Sequence, residues 1–236
     1  MKYIQKGRRP HPYVRWCSNV AGTDKEDYRE LPRSEKEALL KALIQEQGAL
    51  CAYTMRRIGE DSSHIEHIKP QGQCRADKPG SDLDYANLVA CFPRDGMKAP
   101  YRYGAQQKDD WWEGGGESFV SPLQEACEKR FRFDMGGNIT AVGANAAAAT
   151  TIKVLALDHP SLTEDRKRVI EEFIYGPAGE AALSHSEATR AEAALCSRYA
   201  HGYFREFCIA IRHALEEYLR VLRRRAQRKK AVRGRN

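Results

Sequence analysis

The chain has 236 residues, of which 42% are hydrophobic and 30% charged, and a net charge of +7. That length and apolar share support one large domain, or a smaller core with an appendage. No stretch approaches the roughly 18 consecutive apolar residues of a membrane span, and the opening MKYIQKGRRPHP lacks the apolar run of a signal peptide.

Seven scattered cysteines, an odd number, fit free thiols better than a disulfide framework, so a cytoplasmic location is expected. Charge is unevenly placed. Leu219 to Asn236 holds nine Lys or Arg and no acidic residue, while the rest carries 30 basic and 32 acidic side chains. The body is near neutral and the tail is basic. Such a tail can contact phosphates, and it equally suits a solvated helix end.

In chain order, residues 1–33 read as irregular, with Pro10, Pro12, Gly22 and Pro32 as breakers. Ser34 and Glu37 have capping-box spacing and predict a helix that buries Leu39, Leu40, Leu43 and Ile44 and stops at Gly48. Residues 49–70 read as short strands and turns, and 71–84 as a polar loop. YANLVACF, residues 85–92, is a short apolar element. Residues 93–117 form a long polar connection, which is uncommon unless functional. RFRFDMGGNITAV predicts a hairpin, and ANAAAATTIKVL is ambiguous by pattern. Thr163 is a candidate N-cap for a further helix. Residues 186–230 are helical by the spacing of Ile211, Leu215, Tyr218, Leu219 and Leu222, with a break near Gly202.

The segment His64-Ile65-Glu66-His67, closed by Lys69-Pro70, stands out. A zinc-protease pattern would be His-Glu-x-x-His on a helix, and neither the order nor the proline suits it. Phosphodiester hydrolysis suits it better. That reaction calls for a base to activate water, a divalent cation to neutralise phosphate charge, and a group that orients the base. Glu66 is the candidate metal ligand, His67 the base, and Asn87, twenty residues on, the orienting amide. Lys108, in the following loop, is a candidate phosphate contact. The competing reading is an ordinary strand with a polar face.

With these residues in place the chain resembles the HNH, or ββα-metal, nucleases. Within them it resembles the PtuB nucleases of Septu anti-phage systems and their retron-associated relatives. MKYIQKGRRP, LIQEQGALCAYTMRRI, SHIEHIKPQ, LDYANLVACF, FVSPLQEACEKRFRFDMGGNI and VLALDHPSLTEDRKRVI follow in that family's order, covering residues 1 to about 175. The resemblance implies an α+β fold: a ββα-metal (HNH) nuclease core embedded in a mostly helical domain, with a long C-terminal helical region. The expected segments are an arm and helix at 1–48, the nuclease core at 49–145, and helices with the basic tail at 146–236.

It also implies catalysis by His67, Asn87, Glu66 and His64, the last with its role open, and Mg²⁺ or Mn²⁺ at Glu66. Expected nucleic-acid contacts are Lys69, Lys108, Arg223, Arg224, Arg225, Lys229 and Lys230. The resemblance implies a PtuA-like ABC-type ATPase as partner, and since the chain has no Walker motif, any nucleotide control would come from that subunit. DNA is the first expected substrate and transfer RNA the second. A catalytically degraded adaptor that only binds the ATPase is the alternative from another class.

Two departures from the family stand out. Where it has two cysteine pairs, this chain has Cys51-Ala-Tyr-Thr54, and Cys91 with Tyr103-Gly104. Each pair has lost one thiol, so Cys51 and Cys91 are expected to be remnants and the structural zinc absent. The alternative is a repaired site that adds Cys74 and a histidine. Three residues before Lys108, where the superfamily has a ligating His or Asn, stands Ala105. That leaves Gln106, Gln107, Asp109 or Asp110, or water, to complete the catalytic metal. Tyr101, Tyr103, Trp111 and Trp112 would either stack on unpaired bases or fill the space of the zinc.

Overall fold

A computed structural model describes residues 1–97, 102–179 and 181–233, with the backbone alone for Ala200, Lys229, Lys230, Val232 and Arg233. Tyr101 and the side chains of Lys229 and Lys230 therefore lie outside the described residues.

In order, the elements are α1 (His11–Val20), α2 (Arg33–Glu46), β1 (His64–His67), α3 (Gln71–Asp77), β2 (Leu88–Cys91), α4 (Ala105–Lys108), β3 (Phe131–Phe133), β4 (Ile139–Ala141), α5 (Ala146–Val154), α6 (Pro160–Tyr175), α7 (His185–Ala194) and α8 (Cys208–Arg233). The strands form two separate two-stranded antiparallel sheets, β1–β2 and β3–β4. The fold is a mixture of helices and small sheets.

Several elements depart from the sequence expectation. The stretch read as irregular contains α1, which starts directly after Pro10 and carries Pro12 in its first turn. A proline there removes only an N–H that has no intrahelical partner. Helix α2 starts at Arg33 behind Pro32, and no side chain caps it. Ser34 instead donates to Glu35, and Glu37 pairs with Arg33. The polar loop at 71–84 holds α3 and a 3-10 turn, Ser81–Leu83. Helix α6 begins three residues before Thr163, with His159 at its N-cap.

Gly48 ends α2 as expected, for two reasons. Its φ is +61°, a left-handed value. A Cβ there would also stand 2.4 Å from the Phe204 ring. The neighbouring Gln47 is buried, and its amide bonds the backbone of Leu50 and both backbone groups of Ala90. This ties α2 to β2.

Strand β2 is buried throughout and pairs with β1 in the register His64↔Cys91, Ile65↔Ala90, Glu66↔Val89, His67↔Leu88. The β3–β4 hairpin forms as expected, with Phe131, Phe133 and Ile139 buried. It packs on α8, where Arg132 pairs with Glu216. The ambiguous segment is α5, capped by the Asn145 side chain. Helices α6, α7 and α8 bury Ile170, Ile174, Ala188, Ile211 and Leu215. One continuous hydrophobic cluster runs from Met1 to Leu219 and draws on all three expected segments. Beyond Leu219, α8 continues as an exposed basic helix. Among the described residues no helix is long and apolar enough to cross a membrane.

His213 on α8 is buried, and its Nδ1 accepts the Phe133 N–H at 3.3 Å. Burial, aided by Arg132, pushes its pKa down to about 4. Folding therefore favours the neutral ring. The resulting stability is present in full above the unfolded value of about 6.5 and is lost as pH falls from there through 4. The loss should reach about 2 kcal/mol. In His213→Asn, which keeps an acceptor without a titrating ring, thermal melts from pH 7 to 4 should show a correspondingly smaller drop.

Candidate active site

Strand β1 pairs with a fully buried neighbour, so its polar side chains cannot all escape to solvent. Successive strand residues alternate faces, which puts His64 and Glu66 on the same side. The Glu66 carboxylate is matched at both oxygens. Lys108 donates to Oε1 at 3.0 Å, as does the Tyr53 hydroxyl at 3.3 Å, while His64 Nε2 lies 3.8 Å from Oε2. Burial alone would raise the Glu66 pKa, but His64 and Lys108 outweigh it and hold the group below its usual range.

His64 Nδ1 bonds the Pro93 carbonyl. A carbonyl only accepts, so Nδ1 carries a proton and Nε2 is the nitrogen turned to Glu66. Burial works against the charged ring, yet Glu66 and the Pro93 carbonyl raise its pKa overall.

His67 is buried, and its Nε2 bonds the Asp82 carbonyl at 2.9 Å. Nε2 therefore holds the proton and Nδ1 the lone pair. The Tyr28 ring meets the imidazole edge-on at 4.5 Å between centroids. Burial lowers the His67 pKa despite the Asp82 carbonyl and the charge of Glu66. The neutral ring is thus favoured at neutral pH.

Asn87, the expected orienting amide, makes its hydrogen bonds to Lys69 rather than to His67. Its Oδ1 accepts from the Lys69 N–H and its Nδ2 donates to the Lys69 carbonyl, both at 2.8 Å. It clamps the chain leaving β1, while a backbone carbonyl orients the imidazole.

His64, Glu66 and His67 share the wall of one open cleft of about 570 Å³, with Arg75, Asp109 and Asp110 also on its lining. Gln106 lines the same cleft, whereas Gln107 does not. Among the described residues no three His, Cys, Asp or Glu side chains come close enough to hold a metal. Asp109 and Asp110 thus share the cleft without closing on Glu66 and His64.

Two expected phosphate contacts are placed otherwise. Lys108 is buried, with its ammonium committed to Glu66 and to the carbonyls of His67 and Asp109. Lys69 pairs with Asp77 and lines a separate hollow with Asn87. Arg223, Arg224 and Arg225 are exposed on α8.

Cys51 and Cys91, the two cysteines expected to be remnants, come together. Cys51 and Cys91 are both fully buried. Burial opposes ionisation of Cys51, but Cys91, Thr54 and the Phe92 N–H bring its pKa down to about 6. Cys74 is elsewhere, donating to the Lys69 carbonyl and accepting from Asn87. Tyr103 is buried against Phe92, with its hydroxyl on Arg56. Trp111 packs half-buried on Phe119, and Trp112 is also half-buried. These rings face inward and do not form an open stacking platform.

The residues missed by sequence reasoning are Tyr28, Tyr53, Arg75 and Asp82. Asp82 and Arg75 sit in the segment read as a polar loop, and nothing in their spacing signals the site.

No protein-family model matches the chain. Over 134 residues it is 30% identical to the Retron Vc95 putative HNH endonuclease of Vibrio cholerae serotype O1 biovar El Tor, covering 55% of this chain and 62% of that relative. The match thus spans less than two thirds of the relative's length. This likeness supports a relationship to the HNH endonucleases.

The Glu66–Lys108 contact is a nearly dry ion pair, with 14% and 1% of the side chains exposed. Removing one partner of such a pair leaves an uncompensated charge. Lys108→Met should therefore cost about 3 kcal/mol in denaturant unfolding. Adding Glu66→Gln should restore more than half of that loss, because both charges are then gone.

Proposed function

We propose that this chain is a metal-dependent HNH endonuclease that hydrolyses phosphodiester bonds in nucleic acid. The observation carrying the reading is His67. A neutral imidazole, its Nε2–H fixed on a backbone carbonyl, shares a cleft with a carboxylate and a second histidine.

In this reading Nδ1 of His67 takes the proton from the attacking water. The charge that develops on the ring is stabilised through the Nε2–H bond to Asp82 and by the nearby Glu66. Asn87 keeps the base in register by locking the backbone at Lys69.

Glu66 Oε2 and His64 Nε2 offer one oxygen and one nitrogen on the same face, a set that fits Mn²⁺ or Mg²⁺ completed by water and substrate oxygens. The Nδ1–H bond from His64 to a carbonyl is the outer-shell arrangement of a metal-binding imidazole. Bound there, the cation would neutralise charge on the scissile phosphate. Lys108 would remain on Oε1, leaving Oε2 for the metal.

The finer reading is an anti-phage effector of Septu type, working in the cytoplasm with a PtuA-like ABC-type ATPase. It is supported by the run of family-like segments along residues 1 to about 175 and by the likeness to the Retron Vc95 putative HNH endonuclease. The basic end of α8 offers Arg223, Arg224 and Arg225, together with Lys229 and Lys230, to phosphates without base preference. DNA is the first substrate to test and transfer RNA the second.

Wild-type protein, alone or purified with a PtuA-like ATPase, should nick supercoiled plasmid with Mn²⁺ or Mg²⁺, and His67→Ala should lower the rate by about 100-fold or more. Far-UV circular dichroism checks that the variant is folded. A folded His67→Ala protein that cleaves at the wild-type rate, on plasmid and on transfer RNA, would remove His67 as the base.

A further inference from the structure

The cleft wall contains a guanidinium that the proposed chemistry leaves unused. Arg75 lies on α3, and its side chain lines the cleft together with Gln71 and His67. Among the described residues its hydrogen bonds all leave from one nitrogen, Nη1. They run to Asp82 Oδ2 at 3.0 Å and, more weakly, to Gln71 Oε1 at 3.4 Å. Asp27 Oδ1 lies 3.9 Å from the same nitrogen. Nε and Nη2 have no protein acceptor among the described residues, and 31% of the side chain is exposed.

The anchor is unusual. Asp82 is completely buried, and its Oδ1 has no hydrogen-bond partner among the described residues. Its other oxygen takes Arg75 and the Tyr28 N–H. A buried carboxylate is costly unless a cation meets it, so Asp82 fixes where the guanidinium can be. Asp27 is already matched by Arg29, which grips both of its oxygens. Arg75 therefore has one end held by a buried acid and an exposed remainder on the cleft. If charge compensation were its whole purpose, the guanidinium could be buried like the Lys108 ammonium. A planar fork pre-set by carboxylates suits the recognition of a phosphate.

We propose that Arg75 grips a non-bridging phosphate oxygen of the nucleic-acid strand lying in the cleft, with Asp82 as its positioning residue. The same Asp82 supplies the carbonyl that holds His67 Nε2–H. The grip on the strand and the orientation of the base thus share one 3-10 turn. The inference rests on the nuclease reading for its substrate, and its test does not require cleavage.

The test uses the full chain and a fluorescent single-stranded DNA of about 20 nucleotides, with binding read by anisotropy in EDTA across a salt series. Arg75→Lys keeps a cation for Asp82 and loses the fork. Arg75→Gln with Asp82→Asn removes both charges together, so a folded comparison exists if the single variant is unstable. Expected is about tenfold weaker binding near 0.15 M salt, with the slope of log K against log salt smaller by about 0.7. In cleavage assays of Arg75→Lys, which leaves Asp82 in place, KM should rise more than kcat falls, a split that a purely structural role would not give. Folded variants with wild-type affinity and salt slope overturn the inference, while wild-type cleavage keeps the nuclease reading. A wild-type chain that binds but never cleaves overturns that reading, and the Arg75 comparison still decides the grip. A wild-type chain that binds no DNA overturns the grip as proposed.

Discussion

A carboxylate with only 14% of its side chain exposed keeps its charge beside a cation or not at all, and for Glu66 that cation is Lys108. The pairing constrains more than two residues. Lys108 ends the short helix α4, which must be delivered to within reach of β1. Gly104 makes that delivery possible. Its φ of +65° is open to glycine, its N–H bonds the Leu155 carbonyl at 2.7 Å, and a Cβ there would stand 3.2 Å from Thr54 Cγ2. The end of α5, Thr54 and the strand carrying Glu66 are thus linked through one turn of backbone. Arg56 extends the link to α6, bonding Tyr103 and Asp165 while lying over the Phe92 ring.

This linkage explains how far the sequence could be read. His64, Glu66 and His67 could be singled out together because they are neighbours on one short strand, β1, and the fold keeps them on the wall of one cleft. The hairpin at Phe131–Phe133 and Ile139–Ala141 was legible because alternation and a Gly-Gly turn act together. What failed was anything decided by a distant partner. Lys108 reads in sequence as a candidate phosphate contact in a polar loop, and only the fold brings it to Glu66. Asn87 read as a partner for His67 because it is an amide at the expected distance in sequence. Its amide matches both backbone groups of Lys69, and spacing cannot choose between those uses. Helix α1 was hidden by Pro10 and Pro12, which mark a helix start as readily as a loop. Helix α3 is too short to show a period, and it is held by buried Cys74 against Asn87.

The basic tail illustrates a different limit. Composition located it, and the structure adds that it continues the same helix that buries Ile211 and Leu215. Charge on a helix end anchored in this way has a fixed origin, unlike charge on a free strand. It can bias where a phosphate backbone first meets the protein, and it reads no sequence. In the proposed function, position relative to a bound strand would fall to groups lining the cleft, where Asp82 holds Arg75.

The deeper division of labour in the cleft is made by backbone carbonyls. His64 and His67 are chemically identical and three residues apart, yet their protons sit on opposite nitrogens. The Pro93 carbonyl takes Nδ1–H of His64 and turns Nε2 to Glu66, while the Asp82 carbonyl takes Nε2–H of His67 and leaves Nδ1 as the lone pair. Neither carbonyl belongs to a strand or to the motif. One follows β2, and the other sits in the 3-10 turn before it. Their environments then push the two rings apart, because the charge of Glu66 raises His64 against burial while burial prevails at His67. One histidine is suited to sit beside a carboxylate as a ligand, and the other to accept a proton from water. A substitution that moved either carbonyl would change which task the ring can perform without altering a single motif residue.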